Sequence, residues 1–260
     1  MGGCAHARAA DLEGYRRLLA RTLTGGPVTG VTVADPRVVH GGDFAATLVG
    51  RTVTDVLRHG KWLTIRLPGP EVVLLHLGMT GGLVLVADAA PVRFERLRIH
   101  APGGTVALHD RRRLGGAWVV PGQDAEQVTG PLGPDALGIR DAVLGDLLRS
   151  GRRPLKTLLV DQAVLAGLGN TLSDELLWAA RLDPRRRGST LTDDEVAELG
   201  DRLREILRKS VRAGHIPRTR GWLASQRASE APVCPRCGAA LVRLPVGGRR
   251  ALTCPQCQAA

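Results

Sequence analysis

No apolar run in the 260-residue chain approaches the roughly 18 residues that a membrane-spanning helix requires, and the first residues lack the pattern of a secretory leader. Gly2 follows the initiator Met, but His6 stands where an N-myristoylation signal requires Ser or Thr. These absences argue against a membrane-spanning helix and place the expected location in the cytoplasm or at the nucleoid. Lysine is nearly missing: of 36 basic residues only Lys61, Lys156 and Lys209 are lysines. Each one stands out, because arginine is the default cation here and does not exchange its proton at neutral pH. Cysteine is scarce too, with five in all, and Cys4 has no partner in the sequence. No internal repeat is evident.

What is present points to a polyanionic partner. The formal charge is +11, and neutralising phosphates releases their counterions, which makes nucleic acid the obvious ligand. The hydrophobic fraction of 43% suits more than one core. Leu12, Tyr15, Leu19 and Leu23 repeat at helical spacing. Strand-like runs follow at 56–67, 71–79 and 82–87, then a pair around the Ala101–Gly104 turn, which read as an antiparallel layer. The expected division is a β-rich domain over 7–122, a turn-rich linker over 123–140, a helical domain over 141–228 and a Cys-bearing tail over 229–260. In the helical part, Thr192 and Glu195 form a capping box, Val196, Leu199, Leu203, Ile206 and Leu207 form an apolar face, and Gly214 ends the helix.

The tail carries the strongest local signal. Cys234-Pro-Arg-Cys237 and Cys254-Pro-Gln-Cys257 are spaced for a tetrahedral four-thiolate zinc site, one structural ion, between two strands of a hairpin. Two disulfides would conflict with an intracellular setting. Upstream, residues 155–178 read as helix, glycine turn and helix. Gly167 and Gly169 allow close backbone approach to a ligand, and Asn170 opens a helix whose free N–H groups favour an anion.

In order and spacing, six motifs together resemble the formamidopyrimidine-DNA glycosylase and endonuclease VIII family. They are D-L-E-G-Y (11–15), H-G-K-W-L (59–63), H-L-G-M-T-G (76–81), D-R-R-R-L-G-G-A-W (110–118), the D-Q-x(4)-A-G-L-G-N turn from Asp161, and the paired C-x-x-C. The resemblance implies an α+β protein: an N-terminal β-sandwich with a flanking helix, a helix–two-turn–helix domain and a zinc finger. It implies a monomer that repairs oxidised or ring-opened bases in damaged duplex DNA by flipping the nucleotide, as a glycosylase and abasic-site lyase. Lys61 then matches a hairpin lysine that contacts phosphate and assists elimination. Met79, Arg112 and Leu114 match residues that fill the gap left by the flipped base, the last commonly aromatic in the family. Lys156 and Asn170 match phosphate-binding positions, and Arg249 matches the arginine that grips the phosphate at the lesion. Two departures bear on substrate: R-F-E-R (93–96) replaces a common His, and the stretch from Gly214 to Cys234 is short for a lesion-covering loop of the 8-oxoguanine type.

The family's nucleophile is the amine of an N-terminal Pro followed by Glu. Those positions fall on Ala7 and Arg8, which match neither. Three readings stand. The chain binds damage without catalysis; or Gly2 or Cys4 substitutes; or a shift of reading frame has overwritten the start. For the last, ATG CCC GAG CTG CCC GAC encodes Met-Pro-Glu-Leu-Pro-Asp, and reading it out of phase behind a C gives His-Ala-Arg-Ala-Ala, the sequence of residues 6–10. Loss of one C then restores the frame at Asp11.

Overall fold

Alternation of apolar and polar residues between Asp55 and Pro121 builds two sheets that share one core. The computed structural model describes residues 9–87 and 90–258, and the chain divides into two units at Gly130 and Pro131. In the first unit, helix α1 (Ala9–Leu23) is followed by strands β1 (Gly30–Val33) and β2 (Val39–Gly41), the short helix α2 (Phe44–Leu48), then β3 (Asp55–His59), β4 (Trp62–Arg66), β5 (Glu71–His76), β6 (Gly81–Val86), β7 (Glu95–Ala101), β8 (Gly104–Asp110) and β9 (Gly116–Pro121), and helix α3 (Ala125–Thr129). One sheet has the order β2-β9-β5-β4-β3 and the other β1-β7-β8-β6. Pairing is antiparallel except between β2 and β9.

Leu63, Ile65, Val73 and Leu75 of the first sheet meet Leu83, Leu97, Ile99, Val106 and Leu108 of the second in a single buried cluster. Leu12, Leu19 and Leu23 of α1 lie in the same cluster, fully enclosed. Each such side chain contributes about 1.5–3 kcal/mol relative to an exposed state. The run at 56–67 is not one strand. His59 pairs with Trp62, so Gly60 and Lys61 form a two-residue hairpin turn. Gly60 has φ 57, as such turns require at their first position. The short strands β1 and β2, together with β9, had no clear alternation to announce them, and the stretch read as linker contains α3.

The second unit holds α4 (Asp141–Arg149), α5 (Leu155–Val160), α6 (Asn170–Ala179), α7 (Asp193–Ala213), and the hairpin of β10 (Val242–Val246) and β11 (Arg249–Thr253). The capping box at Thr192 and Glu195 is present, and Gly214 closes α7 with φ 69. The five apolar residues of the α7 face are all buried, against Leu144, Leu148, Leu172 and Leu176 among others. A separate cluster joins Trp178 of α6 to Leu223, Leu241, Leu252 and two of the cysteines, which seats the hairpin on the helical layer.

Candidate nucleic-acid interface and metal centre

In the first unit, two loops present apolar side chains to solvent. Met79 lies in the turn between β5 and β6, and Leu114 in the loop between β8 and β9; they are 38% and 42% exposed. Read without a family, both would be core residues, and neither is. Asp110, at the end of β8, organises this region. Its carboxylate accepts the N–H groups of Arg112 at 3.1 Å, Leu114 at 2.7 Å and Gly115 at 2.9 Å. The Thr80 hydroxyl donates to the same carboxylate and ties the Met79 turn to the loop. Burial pushes the Asp110 carboxyl up, but these hydrogen bonds outweigh it and hold it below its usual range. The two loops touch through backbone: a Cβ at Gly78, where φ is 58, would stand 2.5 Å from the Leu114 carbonyl carbon. Only glycine fits there.

The arginines of the same loop divide in purpose. Arg112 is exposed. Arg113 adopts φ 53 and donates to Asp35 at 2.7 Å. Arg96 and Arg37 bind the same carboxylate at 3.0 and 2.8 Å, so three guanidiniums converge on Asp35, and the Arg37 and Arg113 hydrogen bonds hold its pKa far below the carboxylate range. Lys61 is half-buried at its hairpin tip. Burial, and secondarily the Lys61 charge, lower the pKa of His76, whose Nδ1 accepts the Gly78 N–H at 3.2 Å. The neutral imidazole is therefore the form that braces the Met79 turn. Trp62 lies against His76, ring centroids 4.8 Å apart.

In the second unit, the turn before α6 is stapled by a side chain that the motif contains but whose role the sequence did not disclose. Gln162 donates to the carbonyls of Val160 and Leu168, both at 2.9 Å, and accepts the Gly167 N–H at 3.0 Å. Gly167 has φ 108 and needs to be glycine. Gly169 does not need to be for backbone reasons: as the residue before α6 its φ is −123, which any residue adopts. Lys156 also departs from expectation. It is 0% exposed, and its ammonium donates to Asp174 at 2.6 Å and to the Ser173 hydroxyl and Asn170 carbonyl at 2.7 Å. All three protons are taken, so Lys156 braces the first turn of α6 instead of reaching a phosphate. Burial lowers its pKa to about 8 against the pull of Asp174. Asn170 is committed in part: its amide donates to the Arg250 carbonyl at 2.9 Å, linking α6 to the hairpin. Arg249 is exposed at the start of β11, just after the Gly247-Gly248 turn, whose φ values are 55 and 74.

Glu175, two turns into the same motif, carries a role that its type alone did not reveal. Its buried carboxylate accepts the N–H groups of Leu223 at 3.1 Å and Ala224 at 2.8 Å, anchoring the segment that follows α7. Burial raises its pKa to about 7.

The four sulfurs of Cys234, Cys237, Cys254 and Cys257 all lie within 4.8 Å of one another, and none forms a disulfide. Separations of 3.9 Å between Cys234 and Cys257 and 3.6 Å between Cys237 and Cys254 bracket the roughly 3.8 Å edge of a tetrahedron with 2.3 Å metal–sulfur bonds. This group can hold a metal ion. The Trp178 indole N–H points at the Cys234 sulfur from 3.3 Å, a contact that suits a thiolate. The expectations that concern Ala7, Arg8, Gly2 and Cys4 lie outside the described residues.

With the geometry in view, comparison with known proteins is informative. The family description "Formamidopyrimidine-DNA glycosylase N-terminal domain" matches residues 9–117, and "Formamidopyrimidine-DNA glycosylase H2TH domain" matches residues 132–220. The formamidopyrimidine-DNA glycosylase of Roseiflexus sp. (strain RS-1) is 36% identical over 233 residues, 83% of this chain and 85% of that protein. The enzyme of the same description from Laribacter hongkongensis is 34% identical over 266 residues, 95% and 98% of the two chains. Among solved structures, Lactococcus lactis formamidopyrimidine-DNA glycosylase bound non-covalently to DNA with an abasic site is similar with a TM-score of 0.82. It is 25% identical, over 97% of this chain and all of that one. The same protein bound to DNA containing an N7-benzyl-Fapy-dG lesion gives 0.83 at 26% identity, with the same coverage.

Proposed function

Because the chain belongs to the formamidopyrimidine-DNA glycosylase family, we propose that it acts as a monomer in base-excision repair, a DNA glycosylase and abasic-site lyase for oxidised or ring-opened bases in duplex DNA. The observation that carries this reading is the solvent-exposed pair Met79 and Leu114, fixed by Asp110 beside the exposed Arg112. Exposed apolar side chains on a braced loop, within a chain of charge +11, suit insertion into a duplex that has lost a stacked base.

In this reading Met79 and Leu114 occupy the vacated stack and Arg112 meets the orphaned partner base. Lys61 and Arg249 hold backbone phosphate, and Lys61 assists the elimination that cuts the strand. The first turn of α6, opened by Asn170 and buttressed by Lys156, offers N–H groups to a further phosphate. Gly167 shapes that approach. The four cysteines take one structural zinc, whose binding energy stabilises the hairpin that carries Arg249. The chemical step requires an amine to attack the deoxyribose C1′ and form an imine with loss of the base; removal of a proton from C2′ then forms the C2′=C3′ bond as the 3′ phosphate leaves.

The test is borohydride trapping on duplex with a single abasic site, run beside a binding assay on the same duplex and its undamaged counterpart. A covalent adduct identifies imine chemistry. Selective binding without an adduct identifies a lesion-binding protein that does not excise, the outcome that Ala7 and Arg8 would bring about. Equal affinity for damaged and undamaged duplex overturns both.

A further inference from the structure

Strand β11 begins with two arginines, and a pleated strand sends neighbouring side chains to opposite faces. The register pairs Arg249 with Val246 and Arg250 with Pro245, so the two guanidiniums leave the hairpin on opposite sides. Arg243, two residues before Pro245 on β10, shares the Arg250 face. On that face Arg227, Arg243 and Arg250 line a cavity of about 120 Å³ with Ala251 and Leu252. Its capacity is on the order of four water molecules, enough for one tetrahedral phosphate.

The charge around this cavity is not balanced from within the protein. Arg227 pairs with Asp174, but that carboxylate is already held by Lys156. Arg243 donates to backbone carbonyls, Ser229 at 2.7 Å and Arg227 at 3.4 Å, which orient its guanidinium without neutralising it. Among the described residues no carboxylate pairs with Arg243 or Arg250. The excess is felt locally: beside burial, the Arg227 charge adds to the lowering of the Lys156 pKa. The ten-residue helix α6 adds to it, because Asn170 bonds the Arg250 carbonyl and so brings the positive end of the helix dipole to this strand. Three convergent guanidiniums, two of them fixed by other contacts, form a prepared anion site.

We infer that the pocket formed by Arg227, Arg243 and Arg250 is a second backbone-phosphate site, which takes a phosphodiester of bound DNA other than the one gripped by Arg249. The inference rests on the DNA-binding function proposed above. The second site fixes the hairpin on the duplex and carries no information about the lesion, because a phosphate is the same beside any base.

The experiment measures the salt dependence of binding to abasic-site and undamaged duplex for wild type, Arg250→Ala and Arg250→Lys, with zinc content and melting temperature checked for each. Arg250 is chosen because its side chain is exposed and supports no buried partner. In Arg250→Ala the slope of log K against log salt should fall by about 0.9, one phosphate fewer. Affinity for both duplexes should drop by the same factor, about three- to tenfold, and Arg250→Lys should restore the slope. An unchanged slope in Arg250→Ala, with wild type binding DNA normally, overturns the inference alone. So does loss of inorganic pyrophosphate binding in that variant without any change on duplex, which would mark a site for small anions. A wild-type protein that binds no duplex overturns the proposed function and this site with it.

Discussion

Lys156 and Asp174 meet at 2.6 Å with exposures of 0% and 2%, an ion pair sealed inside the helical unit beneath the first turn of α6. Two lone buried charges would each cost several kcal/mol, and the pair persists because Ser173, the Asn170 carbonyl and Arg227 complete its hydrogen bonding. Removing one partner is therefore worse than removing both. Lys156→Met should destabilise the protein by about 3–5 kcal/mol in urea unfolding. Lys156→Met combined with Asp174→Leu should recover part of that loss. A double variant no more stable than Lys156→Met would show that the pair is not what braces this turn.

Leu114 gives the opposite kind of prediction, since its side chain touches solvent and not the core. Leu114→Ala should leave the melting temperature nearly unchanged, within about 0.5 kcal/mol of stability. Affinity for abasic duplex should fall roughly tenfold, about 1.4 kcal/mol, with little change on undamaged duplex. Leu114→Phe should strengthen lesion preference, because a larger ring fills more of the vacated stack. Equal loss on both duplexes would remove Leu114 from the gap-filling role.

Both cores, the α7 caps and the cysteine hairpin were legible in the sequence because each rests on local chemistry: periodicity, a capping box, turn glycines and ligand spacing. The roles of Asp110, Gln162, Glu175 and Asp35 were not. Each binds backbone or side-chain groups that are distant in sequence or hidden within a turn, and an Asp or Glu reads alike whether solvated or enclosed. Lys156 was misread for the same reason. The resemblance alone gave it a phosphate, and only packing reveals that Asp174 and Ser173 have surrounded it.

Glu175 should make stability fall as pH rises through the neutral range. Its folded pKa of about 7 lies above the ordinary glutamate value of about 4.5, so the folded state binds the extra proton between those values. The stabilisation is complete below about pH 4.5 and is lost as pH climbs through 7. Comparing urea midpoints of wild type and Glu175→Gln from pH 5 to 8 checks this: the difference between them should shrink steadily with rising pH or change sign. A constant difference would mean that Glu175 titrates normally.

Metal removal should act on the second unit first. Without an ion, four thiols packed around Cys234 and Cys254 have only the small cluster with Trp178, Leu241 and Leu252 to hold the hairpin. Dialysis against a strong chelator should change Trp178 fluorescence, lower duplex affinity at least tenfold, and leave the sheet signal in circular dichroism largely intact. Readdition of one equivalent of zinc should reverse both effects. Full affinity in a metal-free protein would separate the hairpin from DNA binding.

The start of the chain offers the sharpest chemical prediction. The resemblance places the family's N-terminal amine and carboxylate on Ala7 and Arg8, and that correspondence can be tested directly. A protein that begins Met-Pro-Glu-Leu-Pro directly before Asp11, with the Met removed, presents a secondary amine and a carboxylate in its first two residues. It should form a borohydride-trapped adduct with abasic duplex, and its yield beside that of the sequence with Ala7 and Arg8 measures how much of the attack depends on that start. If the two proteins trap DNA equally well, another amine of this chain performs the attack, and Gly2 is the first to substitute.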